Sequence, residues 1–65
     1  MFKLTVYKTL TGDFEDFSEV EAKQFNTLKQ AEKYAEDTYD LSPVSRLLPH
    51  EYSNGSDAIA IIEQL

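Results

Sequence analysis

The chain reads as an α+β domain, one antiparallel sheet with a single helix packed on one face, and three observations predict it. The amino-terminal stretch FKLTVYKTL alternates apolar and polar residues at the two-residue period of a strand. The middle, TLKQAEKYAEDTY, repeats apolar residues at helical spacing behind a capping residue. Near the carboxyl end AIAII follows Asn54-Gly55, a short apolar run behind a turn dipeptide. With 65 residues the chain forms one domain, 1–65, and a domain this small buries only about 60% of the surface its unfolded chain exposes. A thin core is expected.

In the first strand the alternation sets Phe2, Leu4, Val6 and Leu10 on the buried face and Lys3, Thr5, Tyr7 and Thr9 outward. Thr11-Gly12-Asp13 reads as a turn. The second strand lies in SEVEAKQF, with Val20 and Ala22 continuing the buried face while Glu19, Glu21 and Lys23 face out. Between the two strands Phe14 and Phe17 are three residues apart, which breaks the strand period and predicts a bulge or a wide loop.

Thr27 with Gln30 three residues later has the form of a capping box, in which each side chain satisfies the other's free backbone N–H. Leu28, Ala31, Ala35 and Tyr39 then share one helical stripe. The helix should end between Tyr39 and Leu41, because Pro43 cannot continue it and restricts Ser42. Beyond it Val44 to Leu48 is extended or irregular, with Pro49 demoting it to an edge. Asn54-Gly55 suits a tight hairpin because both residues tolerate positive φ, and AIAII reads as a strand buried on both faces. The resulting order is ββαββ.

Composition limits the function classes. Twelve Asp and Glu against six Lys and Arg give a net charge of −6, which disfavours direct binding of nucleic acid or anionic membranes and makes a basic protein the natural complement. There is no cysteine, so disulfide staples and thiolate zinc sites are excluded and a reducing compartment fits. The amino terminus lacks the continuous apolar run of a signal peptide and no stretch approaches a membrane span, so a soluble cytoplasmic protein is expected.

Catalytic and cofactor motifs are missing. The single His50 supports no triad beyond what chance pairs with scattered Ser and Asp, and the two isolated glycines form no phosphate cradle. A calcium loop starting at Asp13 fails where it needs an oxygen ligand, Gly and Glu, having Phe17, Ser18 and Gln24 instead. No enzyme activity, metal or cofactor is expected.

What stands out is the placement of acids. GDFEDFSEVE, residues 12–21, holds five carboxylates and two phenylalanines without a Lys or Arg. On a regular strand Glu19 and Glu21 share a face about 6.6 Å apart. The helix inverts the usual charge order, with Lys29 in its first turn and Glu36, Asp37 and Asp40 at its end, where cations normally oppose the partial negative charge. Glu36 and Asp40 form a repulsive pair one turn apart. A local rule broken without visible compensation points to function. Asp13, Glu15, Asp16, Glu19 and Glu21, joined by Glu36, Asp37 and Asp40 if the helix end lies beside the hairpin, are the candidate partner-binding residues. Two roles are open to Phe14 and Phe17, completing the core or anchoring a partner among the charges.

EVEAKQFNTLKQAEKYA, a charged strand running through a capped Thr27 into a helix rich in Lys and Ala and followed by further strands, resembles the layout of some small acidic anti-CRISPR proteins. The resemblance rests on size, element order and acidity, and it assigns no role to any residue. It implies a phage-type DNA mimic that blocks recognition of target DNA or of its PAM by a CRISPR effector complex. Carboxylates on a rigid frame imitate backbone phosphates, so the expected function is inhibition of a basic nucleic-acid-binding protein by a monomer. The second reading is a homodimeric interaction or assembly module that uses a sheet edge and Tyr7, Phe14, Phe17 or Tyr52 as anchors.

Overall fold

The computed structural model describes residues 1–11, 16–45 and 50–65. It has the predicted α+β class: β1 (Phe2–Lys8), β2 (Ser18–Phe25), α1 (Leu28–Tyr39), β3 (Ser42–Ser45), β4 (His50–Ser53) and β5 (Ala58–Gln64). The strands form one antiparallel sheet in the order β2-β1-β5-β4-β3, and α1 packs on one face of it, against β1, β2 and β5. One strand more than the ββαββ reading is present. Extended backbone begins at Ser42, immediately after the helix, and His50–Ser53 forms a separate strand ahead of the Asn54 turn. The Arg46 to Leu48 part of the anticipated segment, and Pro49, lie outside the described residues.

The amino and carboxyl strands are neighbours in the middle of the sheet. That placement explains why β1 is buried on both sides: Leu4 and Val6 lie under the helix, and Thr5 is only 5% exposed because β2 and β5 shield it from both flanks. Alternation then stops at Lys8. Thr9 turns in, its N–H donating to the Asp57 carbonyl at 2.9 Å, while Leu10 is fully exposed, the reverse of the faces expected for both. The core consists of Leu4, Val6, Ala31, Ala35, Leu41, Tyr52, Ala58, Ala60 and Ile62, with Phe2, Phe25, Leu28, Tyr34 and Tyr39 packed around it.

The helix keeps its predicted limits because both ends are capped. Thr27 Oγ1 accepts from the Gln30 N–H at 3.2 Å. At the other end Asp40 takes the left-handed conformation with φ 57°, and its N–H donates to the Glu36 carbonyl at 3.0 Å. Leu41, now directed inward, closes the end as a core residue.

The Asn54 turn differs from a two-residue hairpin. Only Gly55 has positive φ, at 75°, and the loop takes four residues, Asn54 to Asp57, between the strands. Asn54 organises it through its side chain: Oδ1 accepts from the N–H groups of Ser56 and Ala58, and Nδ2 donates to Asp57.

Candidate functional site

The acids fall into two environments, divided by a bulge in β2. Val6 pairs with Glu21 but the next residue, Tyr7, pairs with Glu19, so the register skips Val20. Consecutive residues of β1 point to opposite faces, and their partners follow them. Glu19 therefore lies with Tyr7 on the open face and Glu21 with Val6 on the helix side. This corrects two expectations: the glutamates do not share a face, and Glu21 and Lys23 sit on the covered side while Val20 and Ala22 are exposed. The physical cause is the bulge itself, which appears within β2 and shifts the alternation by one residue.

On the helix side Glu21 is held by two phenols. Tyr34 donates to Oε1 and Tyr39 to Oε2, both at 2.5 Å. These residues are five apart on α1, and Phe25 packs on Tyr34 with ring centroids 5.4 Å apart. Lys23 Nζ stands 4.7 Å over the Tyr34 ring and Lys8 Nζ 5.8 Å over that of Tyr39. The two hydroxyls, with the Lys23 charge, keep the Glu21 carboxyl below its ordinary value. In return the carboxylate, aided by burial, raises Tyr34 and pushes Tyr39 up to about 12. Glu21 is thus a clasp that joins strand and helix, with both oxygens already engaged. Sequence reasoning set Tyr39 on the helical stripe without linking it to Glu21, and missed Tyr34; the signal available was Tyr34, three residues after Ala31 and five before Tyr39.

The same clasp fixes where the helix ends. Because Tyr39 reaches Glu21 and lies beneath Lys8, the last turn of α1 stands at the end of the sheet where β1 stops and β2 begins. That turn carries Glu36 and Asp37 and is closed by Asp40. All three are exposed, and Asp37 pairs with Lys33 at 3.3 Å on the surface. Asp16 is exposed there too and accepts from the Thr11 hydroxyl at 2.8 Å. Asp57, which was not among the expected residues, joins through the Thr9 bond, and its carboxyl is lowered chiefly by the Asn54 side chain. A shallow concavity of about 520 Å³ beside Asp16 is lined by Lys8, Leu10, Thr11, Asp16, Ser18 and Val20.

Asp13, Phe14 and Glu15 lie outside the described residues. Phe17 is half-buried. Of the aromatic anchors considered, Tyr52 is 3% exposed and belongs to the core, whereas Tyr7 is half-buried on the open face. His50 is half-buried opposite Ile62. Among the described residues no three His, Asp or Glu side chains converge on a point where a metal ion would sit, and no helix is long and apolar enough to cross a membrane.

Fold and surface together define a small α+β protein with an acidic pole at one end of its sheet. Compared with protein-family models, curated proteins and solved structures, the chain matches none.

Proposed function

We propose that this chain is a non-enzymatic inhibitor, acting in the cytoplasm as a monomer, whose acidic pole enters the basic nucleic-acid-binding groove of a partner protein. A CRISPR effector complex is the most specific candidate partner. What supports the reading is the set of exposed acids at the end of α1, Glu36, Asp37 and Asp40, together with Asp16, held by the Thr11 hydroxyl, and Asp57, whose carbonyl accepts from Thr9 just past β1. Among the described residues the cations near them are Lys8, stacked over Tyr39, and Lys33, paired with Asp37. The pole departs from a stability-driven design, because acids at a helix carboxyl end oppose its dipole. Such a surface replaces phosphates in a Lys/Arg groove, with fast, salt-sensitive association. Leu10 and Val20, both exposed and lining the concavity beside Asp16, add apolar contact that charge alone lacks.

The test is a low-salt pull-down of nucleic-acid-binding proteins eluted on a salt gradient, repeated with the combined variant Asp16→Lys, Asp37→Lys, Asp40→Asn. Retention of a basic partner that displaces its nucleic acid, lost with the variant and at raised salt, is the expected result. Binding unchanged by both treatments would overturn the proposal.

A further inference from the structure

The face of the sheet opposite α1 carries an apolar strip, and among the described residues no helix lies over it. β5 is apolar on both of its sides: Ala58, Ala60 and Ile62 are buried under the helix, whereas Ile59 and Ile61 point the other way and are only half-buried. Continuous apolar runs of this kind belong to strands covered on both faces. Register extends the strip, since Ile59 pairs with Tyr7 and Ile61 with the covered Thr5. Val44, 64% exposed, Glu51, Ser53, Ile59 and Ile61 line a concavity of about 360 Å³ on this side.

Charge specifies the occupant. The described residues of this face include three carboxylates, Glu19 beside Tyr7, Glu51 beside Ile61 and Glu63 beside Lys3, against the one ammonium of Lys3. A second copy would bring like charges together on two chains of net charge −6 each. Dimensions favour a helix. Glu19 on β2 and Glu51 on β4 are three strand intervals apart, about 14 Å. A helix is about 10–12 Å across with its side chains, so it fits between them over β1 and β5. A seven-residue strand spans about 23 Å, the length of about 16 helical residues.

We propose that the open sheet face, centred on Tyr7, Ile59 and Ile61 and flanked by Glu19 and Glu51, docks an amphipathic helical segment of a partner protein whose apolar stripe is bordered by Lys or Arg. The apolar stripe covers the strip, seats one side chain in the concavity beside Val44, and places its cations against the two glutamates. This inference does not rest on the acidic pole, although the two surfaces adjoin at Glu19, which lies between Ser18 and Val20. A protein with both surfaces holds its partner by two contacts of different chemistry.

The probe is a Leu/Lys peptide of about 16 residues patterned for one apolar helical stripe. A peptide of the same composition in scrambled order and a Leu/Glu peptide of the same pattern serve as controls. Amide shifts of the full chain titrated with the patterned peptide should move at Tyr7, Ile59, Ile61, Glu19 and Glu51, with little change for either control. Ile59→Ser and Ile61→Ser, each checked for native unfolding behaviour, should weaken binding about tenfold or more. Glu19→Lys with Glu51→Lys should exchange the preference to the Leu/Glu peptide. The combined variant of Asp16, Asp37 and Asp40 should leave this binding within about twofold, since rim charges away from the contact act weakly. Shifts confined to the acidic pole, indifference to the Ile substitutions, or no binding would overturn the proposal. A concentration-dependent dimer in sedimentation, with the same residues shifting in the absence of peptide, would overturn it in favour of a second copy.

Discussion

The two faces of the sheet are built from the same strands and differ in what covers them. Ile62 and Ile61 are adjacent in β5, yet Ile62 is fully enclosed beneath α1 and Ile61 is half-exposed. Glu21 and Glu19 are two residues apart in β2, yet one is clasped by two tyrosines and the other stands free of the helix on the opposite side. The same residue type therefore holds the fold together on one face and is available to a partner on the other. Composition alone does not divide these roles.

The sharpest way to break this comparison is to truncate both isoleucines. Ile62→Ala should cost about 2–5 kcal/mol, because the cavity lies in a core too thin to collapse around it. Ile61→Ala should cost less than about 1 kcal/mol, since water already reaches that side chain. Urea unfolding of the monomer measures both, and equal losses would mean that the faces are equally enclosed.

Next in size is the clasp. Tyr39→Phe removes one of two hydrogen bonds to a carboxylate and, at a site open to solvent, should cost about 1 kcal/mol in thermal or urea unfolding. Glu21→Lys should lower the unfolding midpoint clearly and Glu19→Lys should leave it nearly unchanged. The opposite ranking would place the bulge wrongly.

The clasp also predicts a pH dependence with a definite sign. Glu21 is depressed in the folded chain, so its contribution is present above its ordinary value of 4.5 and is lost as pH falls through the lower folded value. Tyr34 and Tyr39 are raised, so theirs is present below 10 and is lost as pH rises from there toward about 12 for Tyr39. Ultraviolet titration of the phenols should show Tyr39 ionising late in the native chain and earlier in Glu21→Gln. Coincident curves would remove the clasp.

The smallest expected effect is a gain. Asp40 holds φ 57° at a helix end where its charge is also unfavourable, so Asp40→Gly should stabilise the chain by about 0.5–1 kcal/mol. If the acidic pole binds a basic groove, the same substitution should weaken that binding while the unfolding midpoint rises.

Local patterns were legible. Helical spacing and Thr27 located α1 to within a residue, because capping and stripe are contained in the thirteen residues they describe. β1 and β5 were legible too, since each carries its own apolar pattern, and β2 was located by the alternation of SEVEAKQF although its faces were not. β4 was missed because HEYS is four residues long, with the one buried residue Tyr52, and offers no period to count. The faces of β2 were reversed by a single skipped residue. A bulge is a property of two paired strands, and the partner's register is absent from either segment alone.

The sequence by itself determined the α+β class, the helix with its ends, and the excess of acid, since each depends on residues near one another along the chain. The tertiary structure decided where the acids stand. It drew Glu21 into the helix contact, set Glu19 on the far face, and left Asp16, Asp37, Asp40 and Asp57 exposed. Those positions depend on strand order and register, which only long-range pairing and packing fix.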